Sequence, residues 1–195
     1  MPCCKTKRSK IVKPITPSTF KHVEVPPNLQ PQLRLYRRLY LARIDLEEAK
    51  ATIEELLTRR IPTPRSNPPG RLLMALTTAL VVSYARPFVS TRGRSDVAEK
   101  AVPGSLLRAF TSRERDLHEE ILTIRNKEVA HSDADILEIS INLYEHGDGA
   151  IFRNARAPFQ RRTLKTVHCM IEKLEDSLDW RCTELRMELP LNVWL

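Results

Sequence analysis

From Gln32 onward, apolar positions recur in helical register. Leu35, Leu39, Ala42, Leu46, Ala49, Ile53 and Leu56 follow one another at steps of four and three, the spacing that lines one face of an α-helix. A first helix is predicted over 32–60, stopped by Pro62 and Pro64, because proline lacks the N–H and restricts the residue before it. After Pro68-Pro69-Gly70, the run Leu72 to Tyr84 is apolar nearly all round. That predicts a second helix over 70–86, buried among its neighbours and ended by Pro87. Residues 89–104, rich in Ser, Thr, Gly, Arg and Asp, read as a loop. Thr111 and Glu114 make a capping box for a third helix over 112–131, with Leu117, Ile121 and Ile124 on its inner side. The period then drops to two: Leu137, Ile139, Ile141 and Leu143 alternate with polar residues, Gly147-Asp148-Gly149 turns the chain, and Ala150 to Arg153 returns, a hairpin over 136–153. Pro158 suits the first turn of a fourth helix over 159–189. Leu164, Val167, Ile171, Leu174, Leu178 and Leu185 form its seam.

Four helices with one apolar seam each satisfy burial by facing those seams inward. The expected fold is all-α: an antiparallel four-helix bundle with a small β-hairpin insertion between helices 3 and 4. With only 5 Gly and 6% aromatic residues, the composition leaves little room for a turn-rich β architecture. A chain of 195 residues fits one domain. Residues 1–31 carry repeated prolines among lysines and little apolar surface, which reads as a disordered basic tail. The bundle then occupies 32–189 and a C-terminal tail 190–195.

Charge changes the picture less than its total suggests. The net charge is +8, yet Lys5, Lys7, Arg8, Lys10, Lys13 and Lys21 stand in a tail stretch without an acid, so the body is close to neutral. A nucleic-acid argument from overall pI therefore fails for the bundle, and a local patch must carry it. Cys3-Cys4, Cys169 and Cys182 match neither a zinc knuckle nor a disulfide framework. Leu72 to Ala85 is short of the roughly 18 to 20 apolar residues that cross a bilayer. The expectation is a soluble cytoplasmic protein with no membrane partner, no metal and no cofactor.

Chemistry concentrates at the end of the third helix, in Arg125-Asn126-Lys127-Glu128-Val129-Ala130-His131-Ser132-Asp133. This stretch resembles the signature of the HEPN superfamily: an Arg, four to six residues, then a His, often with Asn, Asp or His directly after the Arg. Ser83-Tyr84-Ala85-Arg86-Pro87-Phe88 further resembles the end of the second helix in abortive-infection-type members. The resemblance spans about 32–189, and its motif lies near 113–133. It implies a metal-independent endoribonuclease of toxin or defence type. In that reading Arg125 stabilises the phosphorane charge, His131 moves a proton, Asn126 orients, and the RNA 2′-OH attacks. The chemistry is apt, since imidazole titrates near neutrality and guanidinium is a permanent planar fork for phosphate oxygens. On an ideal helix Arg125 and His131 stand roughly 120° apart and about 9 Å along the axis, so they border a cleft rather than touch. A homodimer bringing two pairs together, with the third helix in its interface, is what the resemblance implies.

The spacing also fits Arg113 with His118, and Arg161 or Arg162 with His168. Arg113, His118, Tyr84 and Arg86 are expected as supporting residues. A second constellation, Arg153, Arg156, Arg161, Arg162 and Lys165, lies in a stretch without an acid at the start of the fourth helix. Cations there oppose the helix dipole, as they would in a phosphate-binding patch for RNA. The rival reading is a non-catalytic dimeric binding module, partnered by an antitoxin or a nucleotidyltransferase-like protein. In it Arg125 pairs with Glu128 or Asp133, and His131 complements the helix dipole. A coiled-coil-like structural adaptor is the third reading.

Overall fold

A computed structural model describes residues 25–59, 70–90, 97–126, 138–144, 147–153 and 159–190. The packed part of the chain is all-α. Four helices carry it: α1 Gln30–Thr58, α2 Arg71–Ala85, α3 Ser112–Ile124 and α4 Arg161–Glu188. Among the described residues no helix is long and apolar enough to cross a membrane.

The long helix α1 packs against both α2 and α4. Most of its predicted seam is sealed in the core, at Leu39, Ala42, Leu46, Ala49, Ile53 and Leu56, while Leu35 is only partly buried against it. From α4 come Leu164, Val167, Met170, Ile171, Leu174, Leu178 and Leu185. Each buried Leu, Ile, Val or Met side chain stabilises the fold by about 1.5–3 kcal/mol relative to exposure. The two helices run antiparallel, because their ion pairs step in opposite directions: Arg43 meets Asp179 (3.1 Å) and Lys50 meets Glu175 (2.7 Å). At the far end Arg161 of α4 donates to the Leu57 carbonyl in the last turn of α1 (2.7 Å).

Two local expectations are corrected, and one element is added. Just beyond the stretch read as a loop, a 3₁₀ helix, Gly104–Ala109, delivers Leu106 and the following Phe110 to the core. Short 3₁₀ pieces bury one or two residues without an α-helical period, so the pattern did not reveal it. The fourth helix begins at Arg161 with Gln160 as its N-cap, two residues later than the expected 159. The backbones of β1 (Glu138–Tyr144) and β2 (Gly147–Arg153) pair antiparallel, with Glu138 opposite Arg153 and Tyr144 opposite Gly147. Gly147, Asp148 and Gly149 are thus paired strand residues rather than a turn. The predicted end of the third helix, 127–131, lies outside the described residues.

Candidate functional site

The helix α3 starts where its capping box predicts. The Thr111 side chain accepts from the Glu114 N–H (3.3 Å), and the Glu114 carboxylate accepts from the Thr111 N–H (2.8 Å). This satisfies two donors the first turn would leave orphaned, worth about 0.5–2 kcal/mol. The same carboxylate is buried and takes both oxygens to Lys173 of α4, at 2.7 and 2.8 Å. Burial works against its charge, but the Lys173 ammonium and the Thr111 bonds outweigh it and hold the group below the usual carboxylate range. One residue thereby caps the start of α3 and ties it to α4.

Glu114, His118 and Ile121 make the buried stripe of α3, with Leu117 and Ile124 only partly covered. The helix is therefore rotated from the expected seam, and His118 points into the protein. Its Nδ1 and the Tyr84 hydroxyl share a hydrogen bond of 3.0 Å. Phe88 stands edge-on with ring centroids 4.5 Å apart, and Phe110 closes the cage at 6.1 Å. His118 keeps 2% of its surface and Tyr84 none, so these two are core residues in contact with each other rather than with solvent.

Desolvation holds the His118 imidazole below the ordinary histidine range, with the Glu119 carboxylate acting weakly the other way. Burial likewise pushes the Tyr84 phenol far up. The unfolded chain therefore binds a proton at this histidine more readily than the folded one. Its contribution to stability is full above the ordinary histidine value of 6.5, which the unfolded chain keeps, and is lost as pH falls from there towards the lower folded value, with a slope of at most about 1.4 kcal/mol per pH unit. Urea unfolding of wild type and His118→Gln across that window checks this. The variant is expected to show a flatter profile, and equal slopes would assign the proton to another group.

At the end of α3, the Arg125 N–H reaches the carbonyls of Ile121 and Leu122, and its side chain is half-buried. Its guanidinium donates through Nη1 to the Oδ1 of the exposed Asn126 (3.0 Å). Adjacent motif residues thus form one donor-rich unit at a helix terminus. His131 lies outside the described residues, as does Arg156, and Arg153 is placed only as the last residue of β2.

The remaining expected residues are dispersed. Arg86 pairs across to α1, with Glu48 at 2.9 Å and Asp45 at 3.3 Å. Arg113 is exposed on α3. Arg162 and Lys165 are exposed on the first turns of α4, where no acid accompanies them. Arg161 leans away to the α1 carbonyl, where a cation complements the helix dipole instead of opposing it. His168 sits 3.6 Å from Glu172 one turn along. Among the described residues no group of His, Cys, Asp or Glu could hold a metal ion.

Sequence reasoning missed Arg38. It lies between core leucines and is 4% exposed, donating to the carbonyls of Arg86 (2.5 Å) and Pro87 (2.7 Å) just beyond α2. Its position next to the apolar seam was a signal, since a cation there must find acceptors. No family model matches the chain, and no curated protein and no solved structure matches it either.

Proposed function

We propose that the chain is a HEPN-like protein acting on RNA, with Arg125, Asn126 and His131 as its reactive constellation. In this reading the four helices are an antiparallel bundle, and the β1–β2 pair is an insertion between α3 and α4. The observation that carries it is the Arg125–Asn126 unit at the end of α3. Of the three Arg–His spacings in the sequence, one has its histidine sealed in an aromatic cage and another has it beside Glu172. The Arg125 spacing alone keeps a partly exposed guanidinium joined to the motif amide.

The reaction is transesterification. The RNA 2′-OH loses its proton to a base and attacks the adjacent phosphorus, the 5′-oxygen leaves with a proton, and a 2′,3′-cyclic phosphate remains. Arg125 stabilises the charge of the phosphorane, and His131 serves as acid or base. Arg162 and Lys165, with Arg153 and Arg156, are assigned to the RNA backbone. Two copies supplying two Arg–His pairs complete the site. Purified protein incubated with total RNA in EDTA tests the reading, with 5′-hydroxyl and cyclic phosphate ends expected; intact RNA would remove it.

A second reading is favoured by how many expected helpers serve the fold: Tyr84 and His118 hold each other, Arg86 holds α1, and Arg161 caps α1. In it the chain is a non-catalytic binding module for an antitoxin or a nucleotidyltransferase-like partner. Arg125 then contributes docking rather than rate.

A further inference from the structure

The helix α3 is held to the rest of the protein differently from α1 and α4. Those two bury long rows made almost wholly of Leu, Ile, Val, Ala and Met. The buried residues of α3 are Glu114, His118 and Ile121, with Leu117 and Ile124 only partly covered. Two of its three buried side chains therefore titrate. Burial of apolar surface, which no proton can undo, contributes less here than along α1 or α4. An element with so little apolar contact opens at a lower free energy than the bundle as a whole.

The two titratable anchors face different elements. Glu114, in the first turn, holds Lys173 of α4 at 2.7 and 2.8 Å. His118, one turn later, meets Tyr84 of α2 at 3.0 Å and is enclosed by Phe88, just after α2, and Phe110, just after the 3₁₀ helix. What faces the imidazole gives a positive charge little support. The Tyr84 phenol stays neutral, because burial pushes it far up. The phenyl rings are uncharged, and the Glu114 carboxylate is already committed to Lys173. The Glu119 carboxylate favours the imidazolium but is exposed, where solvent and salt screen it. Protonation turns both ring nitrogens into donors and leaves a full charge among two phenyl rings and a phenol. Moving His118 into water removes that cost.

We propose that α3 is a proton-released helix: when His118 takes up a proton, α3 swings away from α2 and the 3₁₀ segment, pivoting on the Glu114–Lys173 contact at its first turn. Once released, the imidazole titrates at its ordinary value of 6.5. Release therefore becomes easier as pH falls below that value and levels off at the lower value of the docked state. Glu114 is held below the usual carboxylate range, so it keeps its charge through this window and His118 is the first anchor to fail. The far end of α3 carries the Arg125–Asn126 unit, and a pivot at the first turn displaces that end most. The position of the unit is thus coupled to acid, whether or not the chain cleaves RNA.

Hydrogen exchange of the full chain, read as protection factors for peptides of α1, α3 and α4, tests this. At 13 residues, α3 off its support is a marginal helix, so release appears as exchange. As pH is lowered from about 7.5 to about 5, protection of α3 is expected to fall by up to about tenfold per pH unit below the ordinary histidine value, with α1 and α4 nearly unchanged. His118→Gln should flatten the α3 slope whatever its absolute protection, whereas Tyr84→Phe, which keeps the imidazole, should retain the slope. In folded wild type, the His118 ring resonances should titrate below 6.5. An α3 slope that survives His118→Gln overturns the proposal, and so does a pH-independent α3. Equal slopes in all three helices would mean global unfolding rather than release of one helix. A His118 that titrates at or above its ordinary value would overturn it without any variant.

Discussion

Arg38→Ala is expected to destabilise the protein by about 3 kcal/mol, the sum of two carbonyls losing their charged donor in a buried setting. Burial already holds the Arg38 guanidinium below the usual arginine range, with Asp45 acting in the opposite sense. Desolvation of the charge is thus a cost the native state accepts in exchange for closing the turn after α2. The Pro87 carbonyl also receives the Val102 N–H (3.0 Å), so this turn binds the segment leading to the 3₁₀ helix as well. The melting temperature is expected to drop by roughly 6–12 °C for a domain of this size. Arg38→Met separates the causes, since it keeps the apolar stem but removes the donors. If Arg38→Met matches wild type in thermal unfolding, the two carbonyls do not need the guanidinium and the account fails.

The contrast between Arg38 and its neighbours explains how much of the fold was legible in the sequence. Leu39, Ala42, Leu46, Ala49, Ile53 and Leu56 are buried where their period places them, because helix geometry and the hydrophobic effect act on local spacing. The Thr111–Glu114 capping box is equally local. Arg38 is not, since its acceptors lie 48 and 49 residues away in the chain. Arg161 finds the Leu57 carbonyl at a separation of 104 residues, and no local pattern encodes such a pair. The rotation of α3 was misread for a related reason: a buried glutamate and a buried histidine occupy its inner stripe, and both count as polar in a binary pattern. Their burial rests on Lys173 and Tyr84, partners supplied by other helices.

The candidate site was legible as composition and spacing, and much less as geometry. Arg125 and Asn126 were marked by their place in a motif, and their side chains do meet. The predicted basic cluster, by contrast, treats neighbours in sequence as neighbours in function. Arg161 leaves it for α1, whereas Arg162 and Lys165 stay exposed. Electrostatic patches of this sort depend on where each long side chain finds its acceptor.

Under the proposed reading of the chain as a ribonuclease, His131→Ala is expected to lower RNA cleavage by a factor of about 100 to 10,000 while leaving RNA affinity nearly unchanged, because it would remove proton transfer and no phosphate contact. Arg125→Ala should behave differently. It deletes a cation assigned to the phosphorane, so rate falls by roughly 100-fold or more, and the salt dependence of binding becomes shallower as one phosphate contact is lost. Asn126→Ala frees the Arg125 guanidinium from its 3.0 Å anchor and should cost less than either, through looser positioning. DNA of the same sequence should survive, since it lacks the 2′-OH nucleophile. Single-turnover cleavage and filter binding at two salt concentrations separate these effects. Equal cleavage by wild type and His131→Ala would sink the catalytic assignment. Unchanged cleavage with weaker binding in Arg125→Ala would make that residue a docking group, as the binding-module reading requires.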